Sequence, residues 1–165
     1  MMTSCLKNDI KNIFLNKTVK EISMVFDTDD CSNHFLAFTK SLETNTSVKS
    51  IFIVMSNITD EYMCVLSSSL IKNTTLESIK ITGLNMNDVC VGYIALVIKN
   101  NNKIRNIDIS DCIISERGAI AIGFVLMDNN SICCIKIGKN EQFKVVKENI
   151  ERGCSWSGWK MSIQT

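Results

Sequence analysis

Aliphatic residues recur along this chain with a period of 28 residues. The segment 104–114 carries aliphatic side chains at its positions 1, 4, 6 and 11, and Cys112 at position 9. Such a period predicts repeated units that stack only on their neighbours. Equivalent segments, the first a weaker copy that is one residue longer, begin at Val19, Val48, Leu76 and Ile132.

Each repeat combines a strand pattern with a helix pattern. Segments 79–81 and 107–109 alternate apolar and polar residues and are rich in isoleucine, which predicts a short strand. Segment 118–126 aligns with 90–98, 62–70 and 34–42, and two columns four residues apart are always apolar, which indicates one face of a helix. We therefore predict strand, turn, helix and turn in every repeat, with the strands parallel.

An asparagine stands three residues before the first aliphatic residue of each strand. An asparagine at this position either ends the preceding helix in the left-handed backbone conformation or makes a side-chain hydrogen bond in the turn, and the pattern leaves both alternatives open. The five positions are Asn16, Asn45, Asn73, Asn101 and Asn129.

The two ends of the repeat array predict caps. Residues 1–16 place apolar side chains on one stripe of a helix, which we expect to cover the first repeat. With 165 residues and 45% hydrophobic content, we expect one domain, with repeats over 17–154 and a C-terminal cap over 155–165. A last helix within the repeats is predicted from Phe143, Val146 and Ile150. The cap-forming residues are Leu6, Ile10, Ile13 and Phe14 at the N-terminal end, and Trp156 and Trp159 at the C-terminal end.

This pattern resembles the ribonuclease-inhibitor-type leucine-rich repeat, and the resemblance covers about residues 19–154. It implies an α/β solenoid, a horseshoe segment with parallel strands on its concave face and helices on its convex face, which serves as a rigid protein-binding surface. Position 9 departs from the family's Asn or Cys in the first three repeats, with Asp27, Ser56 and Leu84. The fourth repeat matches throughout, at Ile104, Ile107, Ile109, Cys112, Ile114, Gly118, Ile122 and Leu126.

Charge and composition disfavour several partners and compartments. Eighteen basic and seventeen acidic residues leave a net charge of +1, which provides no field to attract nucleic acid or an acidic membrane. No apolar run suits a signal peptide or a membrane span, so we expect a cytoplasmic protein. We expect a monomer if the caps cover both ends of the repeat array, and the alternative is an oligomer built by end-to-end stacking. The eight cysteines are then expected to be reduced thiols, most of them in the core.

Motifs for catalysis or cofactor binding are missing from the sequence. It contains no glycine-rich phosphate loop, no Cys-x-x-Cys and a single histidine, His34, at a predicted helix start. We therefore predict no catalytic, cofactor or metal site. The alternative is a cysteine-based redox or thiol enzyme that uses Cys133 and Cys134, of which we expect one to be buried, or Cys154 beside Trp156.

Strand residues between the buried aliphatics form the candidate binding surface. At repeat positions 3, 5, 7 and 8 they are expected to point outward, apolar in the first two repeats and charged in the later ones. We predict a non-enzymatic module that binds another protein through its concave face, as an inhibitor, an adaptor or a mimic of a host protein. In the alternative interpretation, the N-terminal helix covers the apolar group. The predicted anchors are Phe26, Phe52, Val54 and Met55, and the predicted selectivity residues are Lys80, Asp108 and Lys136.

Overall fold

Strands and helices alternate along the chain. The computed structural model describes residues 15, 17–26, 32–56, 58–83, 86–112 and 114–137, and the backbone of 160–163. The predicted helical segments are confirmed, and each extends by one or two residues at both ends. The elements are β1 (Glu21–Phe26), α1 (Ser32–Thr44), β2 (Ser50–Met55), α2 (Asp60–Lys72), β3 (Ser78–Thr82), α3 (Asp88–Asn100), β4 (Asn106–Ile109), α4 (Glu116–Met127), β5 (Cys134–Ile137) and β6 (Lys160–Ile163).

The strands form one parallel sheet in chain order, β1 to β6. Ile51 pairs with Ile79, Ile79 with Ile107, and Ile107 with Ile135, so the register follows the period of the sequence. Strand β6 was not predicted, because the sequence analysis assigned its residues to a cap. Cys134 pairs with Lys160, a step shorter than the 28-residue period, which explains why the repeat alignment did not include β6.

One core lies between the sheet and the helices. Every second strand residue, such as Ile22, Ile51 and Ile79, joins it from the sheet. Burying each such side chain contributes about 1.5–3 kcal/mol, so this layer is the main source of stability. The two apolar helix columns supply the other side, with Phe38, Leu66, Ile94 and Ile122 in the first and Leu42, Leu70, Ile98 and Leu126 in the second.

The four repeated asparagines that the structure describes make side-chain hydrogen bonds in the turns. Asn73 Oδ1 accepts from the N–H groups of Thr75 and Leu76, at 2.8 and 2.7 Å, and Asn73 Nδ2 donates 2.6 Å to Leu42 O in the preceding repeat. Asn101 repeats this arrangement one repeat later. No described residue has a positive φ, so the left-handed alternative does not apply to Asn45, Asn73, Asn101 and Asn129; Asn16 lies outside the described residues.

A second set of side-chain bonds joins the helix starts. Asn87 Oδ1 accepts from Cys90 N–H at 2.8 Å and caps α3, while its Nδ2 donates 2.8 Å to Asp60 Oδ1 at the start of α2. Ser115 caps α4 in the same way and donates to Asp88. Each cap thereby accepts a hydrogen bond from a free N–H group of its own helix and donates one to the start of the preceding helix.

Several predictions concern residues outside the described part of the chain. These are the helix over 1–16, the last helix with Phe143, Val146 and Ile150, and the closing role of Trp156 and Trp159.

At repeat position 9, Cys112 is buried and its thiol donates 3.5 Å to Ile81 O, whereas Ser56 is exposed. No helix among the described residues has the length and apolar character needed to cross a bilayer.

Candidate functional site: the exposed face of the sheet

The face of the sheet turned away from the helices holds the candidate site. Because successive strand residues point to opposite faces, the residues between the core aliphatics point away from the helices. Three of them align across neighbouring strands: Phe52 pairs with Lys80, and Lys80 with Asp108. Asp108 pairs in turn with Lys136, which completes a row of four in-register side chains. We call these four residues the central row.

Lys80 joins the apolar and charged parts of the central row. Its Nζ lies 5.3 Å from the centroid of the Phe52 ring and 3.1 Å from Asp111 Oδ2. The hydrogen bond to Asp111 raises the pKa of Lys80; partial burial opposes this change, and the charge of Asp108 supports it. The ammonium group is therefore held between an aromatic face and a carboxylate.

Asp108 is fixed by its own turn and by Lys136. Its Oδ1 accepts from the hydroxyl and the N–H of Ser110, at 2.6 and 3.1 Å, and its Oδ2 lies 3.5 Å from Lys136 Nζ. Partial burial raises the pKa of Asp108, but the Ser110 hydrogen bonds together with the charges of Lys80 and Lys136 lower it below its usual value. Asp108 is thus an ionised, oriented acceptor at neutral pH.

Two predicted anchors point into the core instead of outward. Phe26 is 6% exposed and Met55 is 1% exposed, and the Phe26 ring packs edge-on against Phe35 at 5.0 Å. The reason is strand length: β1 and β2 continue through repeat position 8, so alternation turns that position toward the helices. The prediction that Phe26 and Met55 are exposed is therefore wrong.

The remaining apolar part of the face is small. Val25 pairs with Val54 across β1 and β2, and Phe52 lies two residues before Val54 on the same face. All three side chains are half-buried. The structure therefore keeps Phe52 and Val54 on the predicted face, beside Lys80.

Asp111 belongs to this site, although the sequence analysis did not select it. It accepts from Lys80 and, at 3.4 Å, from the Thr82 hydroxyl. Asp111 also occupies repeat position 8, but β4 ends at Ile109, so here the chain has left the strand and the side chain stays exposed. The signal available in the sequence was its charge, opposite to that of Lys80 in the preceding repeat.

Two of the five described cysteines, Cys90 and Cys112, are buried thiols. Burial raises the pKa of the Cys90 and Cys112 thiols to about 11, so both are protonated at neutral pH. The prediction that one of Cys133 and Cys134 is buried is wrong, because both are half-buried. Cys154 and Trp156 lie outside the described residues. Within the described ranges, no three His, Cys, Asp or Glu side chains gather as a metal site would require.

We expect Phe52→Ala and Met55→Ala to differ sharply in stability. Met55 fills the core, so truncation should leave a cavity and cost about 2–5 kcal/mol of unfolding free energy. Phe52 is half-exposed, so its truncation should cost about 1 kcal/mol or less. Urea denaturation of the two variants measures both values, and equal losses would contradict the assignment of the two faces.

The described elements define an α/β chain with a parallel sheet whose strands follow chain order. No protein-family model matches this chain, and no curated protein matches it. Among solved structures it is similar to leiomodin-1 actin-binding site 2, with a TM-score of 0.64 and 18% sequence identity. The match covers 89% of this chain and 86% of that chain. At this identity, the likeness shows a shared fold alone.

Proposed function

We propose that this chain is a ribonuclease-inhibitor-type leucine-rich repeat protein that binds a partner protein through the exposed face of its sheet. The 28-residue repeats then form a solenoid segment, with this face on the concave side. The observation that carries the proposal is the in-register central row of Phe52, Lys80, Asp108 and Lys136. A rigid row that combines one aromatic anchor with oriented charges is suited to specific protein recognition.

The pairing of the charges defines what such a partner must offer. Lys80 is paired with Asp111, and Lys136 with Asp108, so the face presents balanced charge. A partner gains little from long-range attraction to such a surface, and most of the affinity must come from apolar contact around Phe52. The solved structure of leiomodin-1 carries an actin-binding site on a similar fold, which supports a protein-binding role for this architecture.

The test compares three baits in affinity purification from the native host cell, followed by mass spectrometry. The baits are the unmodified chain, Phe52→Ala and, as a matched control on the helix side, Leu36→Ala, since Leu36 is exposed on α1. We expect a protein that the unmodified and Leu36→Ala baits capture and that Phe52→Ala loses. The purified pair should then show a Kd at least about tenfold higher for Phe52→Ala by calorimetry. A specific partner retained equally by Phe52→Ala would contradict the proposed face.

A further inference from the structure

A strongly exposed apolar stripe runs along the outer side of α4. Ile120, Phe124 and Met127 are 41%, 69% and 50% exposed, and their spacing of four and three residues places them on one side of the helix. Leu96, which is 46% exposed, occupies the equivalent of Phe124 on the neighbouring helix α3. These four residues, which we call the helix patch, are more exposed than the half-buried apolar residues of the sheet face.

The fold itself does not require this patch. The outer positions equivalent to Phe124 and Leu96 on the first two helices are Lys40 and Ser68, both exposed. The repeat therefore tolerates polar side chains there. Leu36 on α1 is also exposed, at the position equivalent to Ile120, but among the described helices only α4 carries three exposed large apolar residues. A contiguous exposed apolar surface with no role in the core indicates an interaction site.

The charges at the two ends of the stripe identify the occupant. Arg117 and Asp128 lie on the same side of α4 as Phe124, within an arc of about 100°, and are separated by about 16 Å along the helix axis. Both are exposed, and neither side chain makes an ion pair with any other residue that the structure describes. A second α4 that packs antiparallel around a two-fold axis would bring each Arg117 opposite Asp128 of the second copy, with the apolar side chains between them.

We propose that the helix patch is the interface of a homodimer in which the α4 helices of two copies pack antiparallel. An anionic membrane is a poorer fit, because two carboxylates at the ends of the stripe, Glu116 and Asp128, outnumber the single cation, Arg117. The dimer departs from the monomer expected from sequence, since that expectation considered only the ends of the repeat array. It does not rest on the proposed function, because the sheet face lies on the opposite side of the core and stays open in both copies.

Sedimentation velocity over a range of concentrations tests the dimer. We expect the unmodified chain to dimerise reversibly, and Phe124→Ser to raise the dissociation constant at least about tenfold. The serine matches Ser68 at the equivalent position of α2, so the variant should fold with unchanged circular dichroism. Leu36→Ser is the control, because Leu36 is an apolar residue of similar exposure on α1, and it should dimerise like the unmodified chain. A monomer at every concentration up to about 1 mM would overturn the proposal.

Charge reversal distinguishes a second copy from any other occupant. Arg117→Glu and Asp128→Arg should each weaken self-association, because each places like charges opposite one another twice in the dimer. An equimolar mixture of these two variants should form a heterodimer, because each of the two facing pairs of positions 117 and 128 then combines opposite charges. The double variant should regain self-association for the same reason. No complementation in the mixture, or a monomer that instead floats with phosphatidylserine vesicles through Phe124, would overturn the antiparallel dimer.

Discussion

Replacing Ile109 with Asp is expected to unfold the chain cooperatively. Ile109 is fully buried at the end of β4, in the core between the sheet and α4. An ionised carboxylate without a partner at this site costs several kcal/mol, which is comparable to the total stability of a domain, roughly 5–15 kcal/mol. Ile122→Asp, on the helix side of the same core, should have the same effect. Thermal unfolding followed by circular dichroism measures both.

Asn106→Asp provides the control for these substitutions. Asn106 lies three residues before Ile109 on the same strand but is exposed, on the opposite face of the sheet. The same carboxylate should therefore change stability by about 0.5 kcal/mol or less. An Ile109→Asp variant that melts like the unmodified chain would show that the inward and outward faces of β4 are exchanged.

The repeat period predicted the placement of the strands and helices because the same physical requirement recurs in each unit. Ile79 and Ile107 have to reach one core from adjacent strands, so their spacing in sequence equals the register step of the sheet. The period does not define the strand ends. Phe26 and Met55 at position 8 are buried because β1 and β2 extend that far, and the period alone does not predict this length.

Other features depend on distances in space that a sequence pattern does not contain. The asparagine column was visible in the sequence, but its choice between two turn conformations follows from the carbonyl oxygens of the preceding repeat, such as Leu42 O beside Asn73. The pairing of Lys80 with Asp111 likewise required the direction of the chain after β4. The repeat pattern does not reveal the helix patch around Phe124, because the columns of Phe124 and Met127 hold polar residues in other repeats.

Replacing one of the repeated turn asparagines is expected to have the second large effect on stability. Asn101 is 4% exposed, and its side chain makes four hydrogen bonds. Its Nδ2 donates to Leu70 O and Asn73 O, at 2.7 and 2.9 Å, and its Oδ1 accepts from Lys103 N and Ile104 N, at 2.7 and 3.0 Å. Asn101→Ala removes all four. Leu70 O keeps a bond from Asn73 N–H at 3.2 Å, but the buried Asn73 O and Ile104 N–H lose this partner, and each costs about 1–3 kcal/mol unless water reaches it. We expect a loss of about 3 kcal/mol in unfolding free energy, measured by urea denaturation.

Asn100→Ala and Asn101→Asp separate this explanation from a general effect of asparagine removal. Asn100 is exposed and donates one bond to Leu96 O within its own helix, so Asn100→Ala should be nearly neutral. Asn101→Asp keeps the acceptor but replaces the Nδ2 donor with a carboxylate oxygen that faces Leu70 O and Asn73 O, so it should not restore stability. If Asn101→Asp is as stable as the unmodified chain, the bonds to the preceding repeat contribute little, and the turn bonds to Lys103 and Ile104 alone account for the asparagine. If it is as unstable as Asn101→Ala, adjacent repeats are joined at this point by the side chain of one residue, and the loss should extend to Asn73→Ala one repeat earlier.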